Sequence, residues 1–430
     1  MSTRSTQRPR ILTLGALAAL ALVLSACGQG FSGADASPSA DATAGASETT
    51  AGAAAGGAEL SVLVATGDTE SLGAIKDLAD AWATESGNSI DVQPASDMNQ
   101  QLSQGFAAGN PPDVFWVDAS LLPTYAAAGN LWAYGDQMSD IDFYPALIDS
   151  FTYDGELYCA PKDFSNLGLV NNTDLWEAAG LTDADIPTTR DELQTVATTL
   201  TKDGVTGLVI GDTRDRVGAF MVQAGGWITN PDQTEMTIDS PEAIAGITEV
   251  QELLASGAAA FPKAVDSGWG GEAIGTGKAA MTIEGNWFKS AAGADYPDLN
   301  WRVAELPEGP AGKGTLTFTQ CWAIADASEN KEAALDFIKS LYTDEIQVDL
   351  ANRFGVMPSI QSAREAYIAT VPESEQAWIA GADYAQGPVS AVGMDPVMKE
   401  LDTLIQQLPG LAPAEIAKQT QENGSAVLGK

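Results

Sequence analysis

Carboxylates and indoles are the side chains of this chain best able to do chemistry, and they recur close together. Trp116 stands two residues before Asp118, Asp68 two before Glu70, and Arg214-Asp215-Arg216 runs toward Gly225-Gly226-Trp227. With 58 acidic residues and 10 tryptophans in 430 positions, the paired carboxylates that hydrolyse glycosidic bonds are open to it. Histidine is absent. That removes Ser-His-Asp and Cys-His nucleophiles and the commonest ligand of zinc sites, leaving a Ser-Lys pair as the other hydrolytic route. No GxxxxGK[ST] phosphate loop occurs, and no metal or cofactor is expected.

What must position these groups begins after residue 58. Arg4, Arg8 and Arg10, with no acid among them, lead into the apolar run from Ile11 to Leu24 and then Ser25-Ala26-Cys27. Fourteen helical residues rise only about 21 Å against the roughly 30 Å hydrocarbon core of a bilayer, so residues 1–26 read as a cleaved secretory signal rather than a span. Residues 28–58 hold one aromatic, Phe31, among glycine, alanine, serine and threonine. Such a segment cannot build a core and reads as a disordered tether with a root-mean-square span of about 30 Å. Beyond the signal the chain has 18 basic residues against its 58 acids, a net −40. That charge repels nucleic acid and anionic lipid, and excludes both as main partners.

From residue 59 strands and helices alternate. Glu59 to Ala65 reads as a strand, and Leu72, Ile75, Ala79 and Trp82 recur at helical spacing up to Gly87. A strand at 89–93, a helix at 97–108, a strand at 113–117 and a helix at 119–128 follow. After the Asp154-Gly155 turn come strand-like LYC and LGLV, a helix at 188–201, a strand at 207–210 and a helix at 217–224. Ser240-Pro241 opens a further helix that Gly257 closes. A strand AAMTIE, a loop Gly-Asn-Trp, a strand at 315–325 and a mostly helical final third complete the chain. The alternation implies an α/β protein with mostly parallel sheets, whose ligands bind beyond the carboxyl ends of the strands.

Several stretches, in order, resemble the extracellular solute-binding proteins of ABC importers, in particular the carbohydrate-binding, maltose-binding-protein-like group. They are AAGNPPDVFWVD (107–118), YDGELYCAPKDFSNLGLVNNTDLWEAAGL (153–181), IPTTRDELQTVATTLTKDG (186–204), GKAAMTIEGNWF (277–288), NKEAALDFIKSLYTDEIQ (330–347) and GVMPS (355–359). Leu24-Ser25-Ala26-Cys27 is likewise similar to a lipobox, which implies lipid on Cys27 and leaves ordinary signal cleavage as the alternative. The resemblance implies a two-lobed periplasmic-binding-protein-like fold. Lobe 1 would comprise residues 59–160 and 322–365, and lobe 2 residues 161–321 and 366–430. Crossings are expected near Tyr158 to Lys162, near Gln320 to Ile324 and after the helices beyond Asn330. It further implies a monomer at the outer face of the cell membrane that closes on a sugar and presents it to a permease.

Sugars offer fans of hydroxyls and apolar C–H faces, so their sites combine carboxylates or amides with flat rings. By the resemblance Trp287 stacks on sugar, and Trp116 and Asp118 stand at the cleft end of the third strand. Trp116 has the alternative of burial under the following helix. Asp68 and Glu70 match a loop with polar contacts, or cap the helix from Ser71. The family often has a carboxylate where Ser165 falls, so Asp163 either compensates or pairs with Lys162. Arg214 and Asp215 reach a ligand or pair with each other and neighbouring acids; Trp227, Trp269, Trp322 and Arg353 complete the candidates. Trp82, Trp176, Trp301 and Trp378 are assigned to packing or surface. Cys159 and Cys321 fall in the two crossings, so the resemblance implies a disulfide between them, against two buried thiols. The rival from another class is a secreted carboxylate-dependent glycoside hydrolase; within the binding class, glycerol phosphodiesters, polyols and osmolytes are the alternative cargoes.

Overall fold

The computed structural model describes residues 57–65 and 69–429. Cys27, the leader, residues 28–56 of the tether and Asp68 lie outside them. β1 (Glu59–Val64), β2 (Ser89–Pro94) and β3 (Val114–Asp118) form a parallel layer in the order β2-β1-β3. Helices Thr69–Ser86 and Met98–Ala108 connect them, the second capped by the Asp97 carboxylate on the Gln100 N–H. A short hairpin of β4 (Thr152–Tyr153) and β5 (Glu156–Leu157) turns at Asp154-Gly155.

The chain then enters β6 (Ala160–Asn172), thirteen residues buried at every position. Sequence reading expected two short strands, LYC and LGLV. The stretch between them, PKDFSN, instead continues the ladder. It lacks apolar alternation because both its faces are covered, so period-2 patterning has nothing to report there. Pro161 is tolerated because it lies opposite Cys321, where the partner strand shifts register.

Four further strands, β7 (Thr206–Val209), β8 (Ala259–Ala260), β9 (Ala279–Gly285) and β10 (Trp301–Ala304), lead to β11 (Thr315–Ile324), then to the two-residue β12 (Met357–Pro358) and β13 (Ala385–Gln386). The sheet runs β2-β1-β3-β11-β6-β9-β7-β8, with β10 and β12 on β6 and β13 on β11. Both ends are parallel; β11 and β6 join them antiparallel.

Two main apolar cores flank this junction. One draws on residues 60–160 and 321–363, the other on 167–316 and 389–417. β6 passes from the first, at Ala160, to the second, at Leu167 and Leu169. Helix ends are set locally: Thr189 and Glu192 form a capping box before Arg190–Leu200, and Ser240 and Gly257 bound Pro241–Ser256. Cys159 and Cys321, both fully buried, are disulfide-bonded with Cα atoms 5.7 Å apart, tying the start of β6 to β11. Trp82, Trp176 and Trp378 are buried packing residues. Trp301 lies against Phe288 and Trp378. Among the described residues no helix is long and apolar enough to cross a membrane.

Candidate ligand-binding cleft

Three strands meet at one place. β3 ends at Asp118, β11 brings Phe318, Thr319 and Gln320, and β6 brings Lys162, Asp163 and Ser165, all lining a cavity of about 270 Å³. Trp287, just after β9, closes it from the side of the second core, and Phe354 and Val356 from the first. The carboxyl end of β3 is where a parallel sheet presents its ligands. A second cavity of about 440 Å³ shares Trp116, Asp118 and Phe318 to Gln320 with the first, and runs on to Arg214, Asp215, Lys399 and Asp402. Trp227 lies farther out, in a recess of about 30 Å³ beside Arg214 and Asp215.

Asp118 stands between the two cavities. Its Oδ1 accepts from the backbone N–H of Ser120 at 2.9 Å and from the Ser120 hydroxyl at 2.6 Å, while Oδ2 has no hydrogen bond among the described residues. Desolvation pushes this carboxyl above the usual carboxylate range, against the pull of the Ser120 bonds; Asp215 adds to the rise and Arg214 opposes it.

The side chains around it are mostly occupied. Lys162 and Asp163, both buried, pair with each other, and the Lys162 ammonium lies 4.2 Å from the centre of the Trp116 ring and 4.8 Å from that of Phe354. Ser165 uses its hydroxyl on the loop opposite: it donates to Asn286 Oδ1 and accepts from the Asn286 N–H, both at 2.9 Å. Arg214 pairs with Asp402, whose Oδ1 also accepts from the Arg214 N–H at 2.8 Å. Asp215 lies 3.7 Å from Arg214 Nε.

Four candidates stand away from both cavities. Trp322, opposite Trp116 in the ladder, lies beyond the register shift of β11 and is wedged edge-on between Trp116 and Phe337, 1 % exposed. Arg353 turns to Asp349 at 3.0 Å and to Asp77 at 3.9 Å. Its neighbour Phe354, about 100° round the helix, takes the cavity position. Trp269 packs edge-on to Phe288, its ring filling the space over Gly271. Glu70 is exposed in the first turn of its helix, while the buried Ser71 beside it lines the cavity. Sequence reading missed Phe318, Thr319, Gln320 and Phe354. Gln320 opens the expected second crossing, Phe318 and Thr319 sit just before it and Phe354 beside GVMPS, so position in the chain pointed to them although residue type did not.

The sequence profile of bacterial extracellular solute-binding proteins matches residues 66–348. The chain belongs to that family. Among curated relatives, the diacetylchitobiose-binding protein DasA of Streptomyces coelicolor is 26% identical over 356 residues, covering 77% of this chain and 80% of that protein. A lactose-binding protein of Rhizobium radiobacter is 26% identical over 339 residues, covering 74% and 79%. Among solved structures, an ABC substrate-binding protein from Listeria monocytogenes in complex with cycloalternan superposes with a TM-score of 0.79 at 22% identity, over 87% of this chain and 100% of the other. The GacH receptor of Streptomyces glaucescens gives 0.76 at 22% identity, over 87% and 99%. The family and these relatives are binding proteins, and the fold of this solute-binding protein is the two-lobed one of its structural neighbours.

Proposed function

We propose that this solute-binding protein is the sugar receptor of an ABC importer: it takes a di- or oligosaccharide into the cleft, closes on it and delivers it to membrane permease subunits. The observation that carries the reading is one cavity with a half-buried indole, Trp287, from the second core and, from the first, a carboxylate oxygen, Asp118 Oδ2, without a hydrogen bond among the described residues. A ring for the C–H face of a sugar and an acceptor for its hydroxyls meet across two separately packed bodies. A ligand touching both stabilises the closed arrangement by its differential affinity for it. Relatives that bind diacetylchitobiose and lactose support the cargo class.

In this reading the lobes divide at 59–160 with 322–365 and 161–321 with 366–430; the division is supported by two main cores that draw on 60–160 with 321–363 and on 167–316 with 389–417, Cys321 packing with the first. A lipid on Cys27 and the tether hold the protein, as a monomer, at the extracellular face of the membrane. Nothing in the relatives supports the carboxylate-dependent hydrolase, and no bond is broken in this reading.

A thermal-shift panel of diacetylchitobiose, lactose, maltodextrins, polyols, glycerol phosphodiesters and amino acids tests it. A sugar at 100 times its Kd adds about 2.7 kcal/mol of stability. A shift confined to a solute that is not a sugar would overturn the cargo and leave the receptor role.

A further inference from the structure

The indole of Trp287 is held from three sides, and two of the residues that hold it, Arg216 and Glu284, lie outside the cavity. Its Nε1–H donates to Glu284 Oε2 at 3.2 Å. The same oxygen accepts from Arg216 at 2.5 Å, and Arg216 Nε donates to the Ile283 carbonyl at 3.2 Å. The guanidinium therefore has a fixed place, and its carbon stands 5.3 Å from the centre of the Trp287 ring. Phe318 meets that ring edge-on at 5.1 Å.

Glu284 is buried to 1 % exposure and Arg216 to 14 %. For a pair so buried the desolvation penalty can match or exceed the Coulombic gain, so its presence is weak evidence for a purely stabilising role. The surroundings are shaped to it. A Cβ on Gly285 would collide with the Trp287 ring, and one on Gly270 would stand 2.8 Å from Glu284 Oε1. From the other direction Ser165 and the Asn166 N–H grip Asn286, the residue before the tryptophan.

We propose that Arg216 and Glu284 are positioning residues that lock Trp287 in one orientation, so that the ring meets its ligand already ordered. The inference rests on the sugar-receptor reading for the ligand, but the locked ring can be tested without one. A stacking platform that must choose a rotamer on binding loses affinity to that choice, and a locked one does not.

The experiment uses the purified chain labelled with 5-fluorotryptophan, the Trp287 line being assigned by its loss in Trp287→Phe. The comparison variant is Arg216→Met with Glu284→Gln, which removes both charges together and leaves no buried carboxylate unpaired. Wild type should give one sharp Trp287 line, and the variant a shifted, broadened or split one. Titrated with diacetylchitobiose, lactose and maltotetraose, the variant should bind about tenfold more weakly, the scale of one off-rotamer side chain. In a Trp287→Ala background the same double replacement should change affinity less than about twofold, since nothing is left to position.

An unchanged fluorine line in the variant overturns the proposal whatever the ligand. So does an equal loss of affinity with and without the Trp287 ring, which marks the pair as merely structural. Should the double variant not fold, Arg216→Lys replaces it: the charge stays, the flat fork goes, and the line should still move. Wild type that binds none of the three sugars sinks the sugar reading alone, because the fluorine spectrum decides the positioning by itself.

Discussion

Two tryptophans line the same cavity and are built in opposite ways. Trp116, 3 % exposed, has the Lys162 ammonium over its ring and Trp322 and Phe354 against it, while its indole N–H has no partner among the described residues. Trp287 is half-buried, has its N–H bonded to Glu284 and keeps ring surface on the cavity. One has a covered face and a free donor; the other has a satisfied donor and a free face. A ring near a cleft is therefore not by itself a stacking platform. What its neighbours leave uncovered decides what it offers.

The largest expected effect sits under Trp116. Replacing Lys162 by Met strands the Asp163 carboxylate in the interior and should cost about 3–5 kcal/mol of stability. Urea unfolding measures it, and adding Asp163→Asn should recover most of the loss. A single variant as stable as wild type would mean that the pair is dispensable to the Trp116 corner.

Next comes the exposed face. Trp287→Ala should weaken sugar binding about 100-fold, equivalent to about 2.7 kcal/mol, with little change in melting temperature because the ring is only half-buried. Calorimetric titration beside a melting curve separates the two. A large loss of stability with unchanged affinity would reverse the roles assigned to the two rings.

Trp116→Phe is the complementary test, since it keeps a ring under Lys162 and removes the orphaned N–H. Affinity should fall about tenfold if the indole donates to a ligand oxygen, while stability holds because an unsatisfied buried donor is removed. Wild-type affinity would show that Trp116 serves only as a wall.

The smallest effect is one of pH, at the carboxylate between the two cavities. The Asp118 carboxyl is raised by desolvation, so the folded chain holds this proton more tightly than the unfolded one. The contribution of this group to stability therefore falls as pH rises from the ordinary carboxylate range through its raised value. Sugar binding should run the other way: a ligand hydroxyl donates to the ionised form, so affinity drops as acid protonates Asp118. Asp118→Asn should flatten both profiles. An acid limb of binding that survives in that variant would assign the titration to another group.

Much of the fold was legible because its signals are local. The caps Asp97, Thr189 and Ser240 and the stop at Gly257 mark helix ends by hydrogen bonds made within a few residues. The strands beside them alternate or run apolar according to how many faces are covered. β6 defeated that reading because it is buried on both faces yet carries Lys162, Asp163, Ser165 and Asn166. Those polar residues find their partners on other segments: Asn286 for Ser165, the Trp378 carbonyl for Asn166. The candidate site was legible to the same degree. Trp116, Asp118, Asp163, Ser165 and Trp287 line the first cavity, and Arg214 and Asp215 the second. Glu70, Trp269, Trp322 and Arg353 stand away from both cavities, Trp322 beyond a register shift and Arg353 by a single helical step.

By itself the sequence determined the αβ alternation, the signal-like leader, the order of motifs and the chemical kinds available: acids and indoles, with no histidine. These follow from composition and from interactions spanning a few residues, which a linear reading contains. Only the tertiary structure decided which indole is free on its face, which carboxylate has an oxygen to give, and which charges are already paired. Those outcomes depend on contacts such as Ser165 with Asn286 and Arg216 with Glu284, between residues 121 and 68 positions apart, and burial is a property of the closed packing that no stretch of chain has alone.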